Sequence, residues 1–389
     1  MGEIKIRLKK LFFKEMALGQ LDIEIRESEF SNFNLLMGDN AQGKTGIINK
    51  IRFLRDIHKG LRAGVKPGGK IEFDLLFDVE GSEDTIRYKF DISLMPDGVT
   101  PNFSEEIYRN SNKLFSRREN IFIDEGQNAS VANFFLPTHV PAITSINVQN
   151  FVTINALKSF FDRILLLEAN RLDSRNIEIG QSPMFLGDQG RNAASVLDQW
   201  KKSQPSLYKE VVSEFQEVFS FVAENSIVIK IQPIQGTNIS APLLFYKEKE
   251  NGKEIVQADW SDGMLRTICL IMLPLTRFVT GPNAFLRPSL LLVDEIENGL
   301  DFNALGHLMN FYEGFSSQIQ MIITSHSPTV CNFVSPEKWR IVRRKGSTIQ
   351  SFSPGIIEKD LDAERKKLLK DNWEFYRRHI AKSKLYSVH

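Results

Sequence analysis

Eight consecutive residues, Gly38-Asp39-Asn40-Ala41-Gln42-Gly43-Lys44-Thr45, spell G-x-x-x-x-G-K-T, and this run limits the possible folds more than any other feature. Its glycines let the loop curl so that backbone N–H groups point inward at phosphate oxygens. Lys44 is placed to reach the β- and γ-phosphates, and the Thr45 hydroxyl to ligate Mg²⁺. Such a loop needs a buried strand before it and a helix N-terminus after it. Phe33-Asn34-Leu35-Leu36-Met37 reads as that strand, and residues 46–54 have helical spacing. The competing reading, a glycine turn that fits by accident, does not account for both flanks. An α/β protein that binds a nucleoside triphosphate is expected.

At 389 residues the chain is long enough for two domains, or for one domain with a sizeable insertion. Its 49 Lys and Arg against 48 Asp and Glu leave a net charge of +1, so any basic surface for nucleic acid must be local. Cys269 and Cys331 lie in apolar surroundings without metal-ligand spacing, which suits buried thiols in a reducing compartment. The most apolar run, residues 268–275, is too short to cross a bilayer and contains Pro274. The N-terminus lacks an apolar signal core, so a cytoplasmic protein without membrane contact is expected. The 29 phenylalanines are scattered at strand and helix spacing, which suits core packing.

Residues 3–37 read as β-rich, with alternation in 4–8 and 21–25. Lys70–Leu75 and Tyr88–Leu94 look like hairpin partners. Residues 100–135 read as polar and irregular, with Ser116-Arg117-Arg118 as a compact basic cluster on a solvated loop. The pattern is helical from Asn150 to Asn170. Two amphipathic helices follow between Phe185 and Ala223, separated at Ser203-Gln204-Pro205. Strands return within residues 227–258, and the tail from Glu358 reads as charged and helical.

A second cluster lies within residues 259–345. Leu290-Leu291-Leu292-Val293-Asp294-Glu295 is an apolar strand ending in two carboxylates. In a triphosphatase, Asp294 would hold Mg²⁺ through its water shell and Glu295 would orient and deprotonate the attacking water. Glu297-Asn298-Gly299-Leu300-Asp301 follows at once. A second buried strand ends in Thr324-Ser325-His326-Ser327; a lone histidine is usually structural, but one at a strand tip beside a triphosphate can touch the γ-phosphate. Upstream, Trp260-Ser261-Asp262-Gly263-Met264-Leu265-Arg266 opens a helix, with Ser261 as N-cap and Gly263 allowing close approach.

In order, this set resembles an ABC-type ATPase head of the soluble branch that includes the SMC, RecF and OLD-like ATPases. The wording Asp-Glu-Ile-Glu-Asn-Gly-Leu is typical of OLD-like members, and Leu166–Arg171 followed by Gly190-Arg191-Asn192 is similar to a stretch they carry between two lobes. The resemblance implies a mixed sheet with helices on both faces, an antiparallel β lobe and a helical insertion. The expected division is a head over 1–345, with a nucleotide-binding lobe at 1–150 and 259–345, an insertion at 151–258, and a charged helical tail at 346–389. It further implies Lys44 and Thr45 on phosphate and Mg²⁺, Asp294 on Mg²⁺, Glu295 as base and His326 as γ-phosphate switch. Ser261 and Gly263 would contact the γ-phosphate of an opposite subunit, with Asp301 at the dimer seam. ATP would thus be sandwiched in a homodimer or higher homo-oligomer. A metal-sensing glutamine expected near the end of the first lobe has only Gln149 as a candidate, by position.

Thr45 and Ser261 stand 216 positions apart, too close for a long coiled-coil arm. Asp360-Leu361-Asp362 spells Asp-x-Asp but sits in a charged helical stretch, so an internal TOPRIM-type nuclease is not expected. Two readings remain. One is the ATPase subunit of an anti-phage system, resembling those of PARIS- or Septu-type systems, that controls a separate effector such as a nuclease. The other is a RecF-like DNA clamp using the basic residues Lys366-Lys367 and Arg377-Arg378. A transporter ATPase is disfavoured by the signature wording and the long insertion.

Overall fold

The computed structural model describes residues 4–17, 19–60, 65, 69–94, 100–117, 121–122, 139–145, 151–168, 185–233, 240–281 and 284–353. The chain divides into two compact units, residues 1–164 with 335–389 and residues 165–334.

In the first unit, alternation of apolar and polar residues generates a meander: β1 (Ile6–Ala17), β2 (Gln20–Glu29), β4 (Lys70–Val79), β5 (Thr85–Leu94), β6 (Pro101–Arg109), β7 (Asn112–Ser116) and β8 (Ile121–Phe122). The strands lie in the order β8-β7-β6-β5-β4-β1-β2, all antiparallel. Every second residue of β4 is buried, which places Ile71, Phe73, Leu75 and Phe77 on one face. Phe73 meets Phe13 edge-on at 4.8 Å and stacks on Phe90 at 4.8 Å.

The same sheet continues through strands far away in sequence. β3 (Phe33–Met37), which precedes the phosphate loop, pairs in parallel with β17 (Trp339–Lys345). β17 is antiparallel to β18 (Thr348–Phe352), and β18 runs parallel to β2. A hairpin from the C-terminal part of the chain therefore separates β2 from β3. The head's last strand extends to Phe352, seven positions into the 346–389 segment expected as helical tail, and residues 354–389 lie outside the described residues. Asp360, Asp362, Lys366, Lys367, Arg377, Arg378 and Gln149 lie outside them too. Among the described residues, the unit also holds the α-helices α1 (Lys44–His58), α2 (Ala142–Ser145) and α3 (Val152–Asp162).

Of the segment expected as irregular at 100–135, residues 101–116 are instead a pair of strands and 121–122 a short third, while Arg118 and residues 123–135 lie outside the described residues. A buried carboxylate hid them: Glu105 occupies an inward position of β6, between Phe103 and Ile107, where an apolar residue is expected. It is compensated on three sides. Tyr88 Oη donates to Glu105 Oε1 at 2.6 Å; the Arg117 guanidinium (2.6 Å) and the Ala142 N–H (2.8 Å) donate to Oε2. Arg117 is thus the ion-pair partner of a buried carboxylate rather than a solvated loop residue, and Ser116 is a buried strand residue. The helical pattern expected to Asn170 also ends early, because residues 164–168 form a strand. A short Ile-Leu-Leu-Leu run fits helix and strand alike by periodicity.

In the second unit, β9 (Ile164–Glu168), β15 (Leu290–Asp294) and β16 (Gln320–Thr324) lie in the order β16-β15-β9, and β15 and β16 are parallel and wholly buried. The expected pair of amphipathic helices is α4 (Ala193–Ser203) and α5 (Pro205–Val218). The strands expected within 227–258 are β10 (Val228–Pro233), β11 (Ser240–Lys247) and β12 (Glu254–Val256). After these come α6 (Asp262–Leu275), a small hairpin of β13 (Phe278–Gly281) and β14 (Ala284–Leu286), and α7 (Phe302–Phe315). α6 is buried from Met264 to Leu275 and contains Pro274. Proline cannot donate to the carbonyl four residues back. The Tyr312 hydroxyl of α7 fills that gap by donating to the Leu270 carbonyl at 2.8 Å. Both cysteines are free and buried, and no helix among the described residues is long and apolar enough to cross a membrane.

Candidate nucleotide site

The phosphate loop occupies the end of β3 in the first unit, and the β17–β18 hairpin is its floor. A Cβ on Gly38 would lie 2.6 Å from the Val342 carbonyl of β17, a contact that backbone cannot relieve. Gly43 precedes α1 at φ +101°, and a Cβ there would lie 2.5 Å from Ile349 Cδ1 of β18. The loop is also tied laterally, since Gln42 Oε1 accepts the Arg344 N–H at 2.8 Å. Lys44 is buried, and its ammonium donates to the carbonyls of Gly38 (2.6 Å) and Asp39 (3.0 Å). Asp39, Asn40, Ala41 and Thr45 are exposed. The first turn of α1 holds no acidic residue, so nothing on the helix itself neutralises the partial positive charge at its N-terminus. A curled loop, a cation and a helix start together suit phosphate oxygens.

The second unit gathers the remaining residues singled out in the sequence. Asp294 ends β15 and Thr324 ends β16, side by side in the parallel pair. The Thr324 hydroxyl donates to Asp294 Oδ1 at 2.6 Å and accepts the Glu295 N–H at 2.7 Å. Glu295 itself is left-handed, at φ +51°. That conformation is costly for a residue with a side chain, and such strain concentrates where it aims a functional group. Among the bonds that hold it are the Thr324 hydroxyl on its N–H, the Arg266 guanidinium on its carbonyl, and Asn298 Nδ2 on Oε2 at 2.6 Å. Its Oε1 faces His326 Nε2 at 3.1 Å. A half-buried carboxylate with a histidine at hydrogen-bond distance can accept a proton, and the imidazole beside it can carry one or contact a phosphate.

Ser261 is the N-cap of α6, its hydroxyl accepting the Met264 N–H at 3.2 Å. Gly263 packs against the turn after Glu295: a Cβ there would lie 2.3 Å from the Gly299 carbonyl, which leaves room for glycine alone. Asp301 closes the same turn and caps α7, with Oδ1 accepting the Ala304 N–H at 2.9 Å. One helix start, one turn and Glu295 are therefore a continuous packed assembly. Arg266 adds a further link. Burial lowers its guanidinium to about 10, opposed chiefly by the charge of Glu297, and it stays cationic at neutral pH.

Thr324, Arg266, Glu297 and Asn298 received no role from the sequence. Thr324 carried a usable signal, a hydroxyl closing an apolar strand just before Ser-His. Arg266 and Glu297 meet their partners only through folding, at separations of 29 residues or more. Thr45 in the first unit and Asp294 in the second each offer a hard oxygen donor, the kind Mg²⁺ takes.

A solved structure of an SMC head bound to the C-winged helix domain of ScpA shares the fold at 13% identity and a TM-score of 0.52, covering 92% of this chain and 99% of that one. An SMC head with an extended coiled coil bound to the C-terminal domain of ScpA, derived from Pyrococcus furiosus, matches at 12% identity and a TM-score of 0.47, over 91% and 98% of the two chains. No curated protein matches the chain. At such low identity the likeness to the first of these establishes an α/β fold, that of an ABC-type ATPase head. A family described as "AAA domain, putative AbiEii toxin, Type IV TA system" matches residues 33–332, well over half of the sequence. The chain belongs to this AAA-domain family, and its fold is that of an SMC head.

Proposed function

We propose that this protein hydrolyses ATP, and that ATP drives two copies of its head together so as to control a separate effector protein. The observation that carries the reading is Glu295, a carboxylate held in a left-handed backbone between Asn298 and His326, one residue after Asp294. In this reading Lys44 and the N–H groups of Gly38–Thr45 take the β- and γ-phosphates, and Thr45 and Asp294 hold Mg²⁺. The bound ion neutralises charge on the phosphates. Glu295 removes a proton from the attacking water, and His326 contacts the γ-phosphate. Ser261, Gly263 and Asp301 face the nucleotide of the second copy, and residues 151–258 form an insertion in a head whose sheet runs on to Phe352.

Support for a defence role comes from the toxin-system wording of the family description and from the OLD-like spelling at 294–300. We read the chain as the cytoplasmic ATPase of an anti-phage complex of the PARIS or Septu kind, with a nuclease as its effector. The test is phosphate release by the purified protein with Mg²⁺ and ATP, alone and with DNA, together with the proteins that copurify. Turnover and a stoichiometric second polypeptide with nuclease activity are expected. A protein that is always alone, with turnover stimulated by DNA and steeply suppressed by salt, would favour a clamp instead.

A further inference from the structure

Glu297 is the third acid of the Asp294–Glu297 run, and its geometry is unlike that of the other two. Its Oε1 accepts two successive backbone N–H groups, those of His326 at 2.5 Å and Ser327 at 2.9 Å. Oε2 is also buried, and it has no hydrogen-bond partner among the described residues. Holding a carboxylate this way is expensive unless its charge is needed, because a buried anion must be repaid by donors and nearby cations. Arg266 supplies the nearby cation.

The position of Glu297 in its turn matters as much as its bonds. The Asn298 N–H donates to the Glu295 carbonyl and the Leu300 N–H to the Glu297 carbonyl, both at 3.1 Å, which makes 295–300 a stiff turn. Gly299 of that turn packs on Gly263 at the start of α6. Glu297 therefore joins three things: the segment carrying Glu295, the backbone of His326, and the helix start at Ser261–Gly263.

We propose that Glu297 is a positioning residue that sets His326 against Glu295, and that it transmits movement of the Ser261–Gly263 helix start to this pair. The proposal rests on the reading of Glu295 as base. Because the carboxylate grips the main chain of residues 326–327 rather than the imidazole, a shift of the 295–300 turn carries the histidine with it. Displacement by about 1 Å is enough to cost on the order of 10²-fold in rate.

The test compares Glu297→Ala, Glu297→Gln, His326→Ala and the double variant Glu297→Ala/His326→Ala in full-length protein. Glu297→Ala is expected to lower kcat about 10- to 100-fold while leaving KM for ATP within about threefold, the signature of lost alignment rather than lost binding. Glu297→Gln keeps an oxygen able to accept both N–H groups and is expected to recover most of that loss. The double variant should be no slower than His326→Ala alone, because the two residues act as one unit. Losses that multiply, or unchanged kcat in Glu297→Ala, would overturn the proposal. If Glu297→Ala does not fold, Glu297→Asp replaces it: one methylene shorter, it cannot span both amides and should show the same loss.

A second readout needs no turnover. With ¹³C-labelled histidine, the His326 ring resonance, assigned from its loss in His326→Ala, should shift in Glu297→Ala and stay near its native position in Glu297→Gln. An unmoved resonance in Glu297→Ala overturns the positioning role. A wild-type protein without ATPase activity would instead refute the catalytic reading, while the resonance still decides the role of Glu297.

Discussion

The Thr324 hydroxyl gives its one proton to Asp294 at 2.6 Å and takes the amide proton of Glu295 at 2.7 Å. A single residue at the tip of β16 thus fixes both acids at the tip of β15. Thr324→Val keeps the shape and removes the hydroxyl, leaving a buried N–H without its acceptor. Steady-state phosphate release should fall about 10- to 100-fold, and urea denaturation should show a loss of roughly 1–3 kcal/mol. Thr324→Ser, which keeps both bonds, should stay close to wild type in both measurements.

The buried ring of His58 closes α1. It stacks on Phe161 at 4.1 Å between centroids, with planes 6° apart. Its Nδ1–H donates to the Leu54 carbonyl at 2.7 Å, and burial pulls its titration from 6.5 down to about 4. Above pH 6.5 neither folded nor unfolded chain protonates this group, so its contribution is intact. Between pH 6.5 and 4 the unfolded chain takes up a proton that the folded chain refuses, and stability drops as the pH falls. The full drop is roughly 3 kcal/mol. Urea midpoints measured from pH 7.5 to 4 should fall more steeply for wild type than for His58→Phe.

Tyr312 and Pro274 should be coupled. Tyr312→Phe strands the Leu270 carbonyl that Pro274 cannot serve, at a cost of roughly 1–3 kcal/mol. In a Pro274→Ala background the helix can supply its own donor, so the same substitution should cost about 1 kcal/mol less. Chemical denaturation of the four proteins in this double-mutant cycle measures the coupling.

Local pattern carried much of this architecture. The phosphate loop with its strand and helix, the apolar strands ending at Asp294 and Thr324, and the Ser261 cap all rest on neighbours within a few residues. What stayed hidden depends on distant partners. β17 and β18 lie between β2 and β3, and nothing in residues 339–352 names those neighbours. β6 was obscured because its inward rank contains Glu105, whose charge makes sense only beside Tyr88, Arg117 and Ala142. In the second unit the acids were legible, whereas Thr324, Arg266 and Glu297, which aim them, act across the turn and the parallel strand pair.

The central claim is that ATP joins two heads and Glu295 releases them, and one measurement addresses it most directly. The molar mass of Glu295→Gln is followed by light scattering with Mg²⁺ and ATP, with Mg²⁺ and ADP, and beside Lys44→Ala with ATP. Glu295→Gln is expected to bind ATP without releasing phosphate and to double its mass with ATP alone, while the ADP sample and Lys44→Ala stay at the lower mass. Wild-type turnover in Glu295→Gln, or an identical mass with ATP and ADP, would contradict the account.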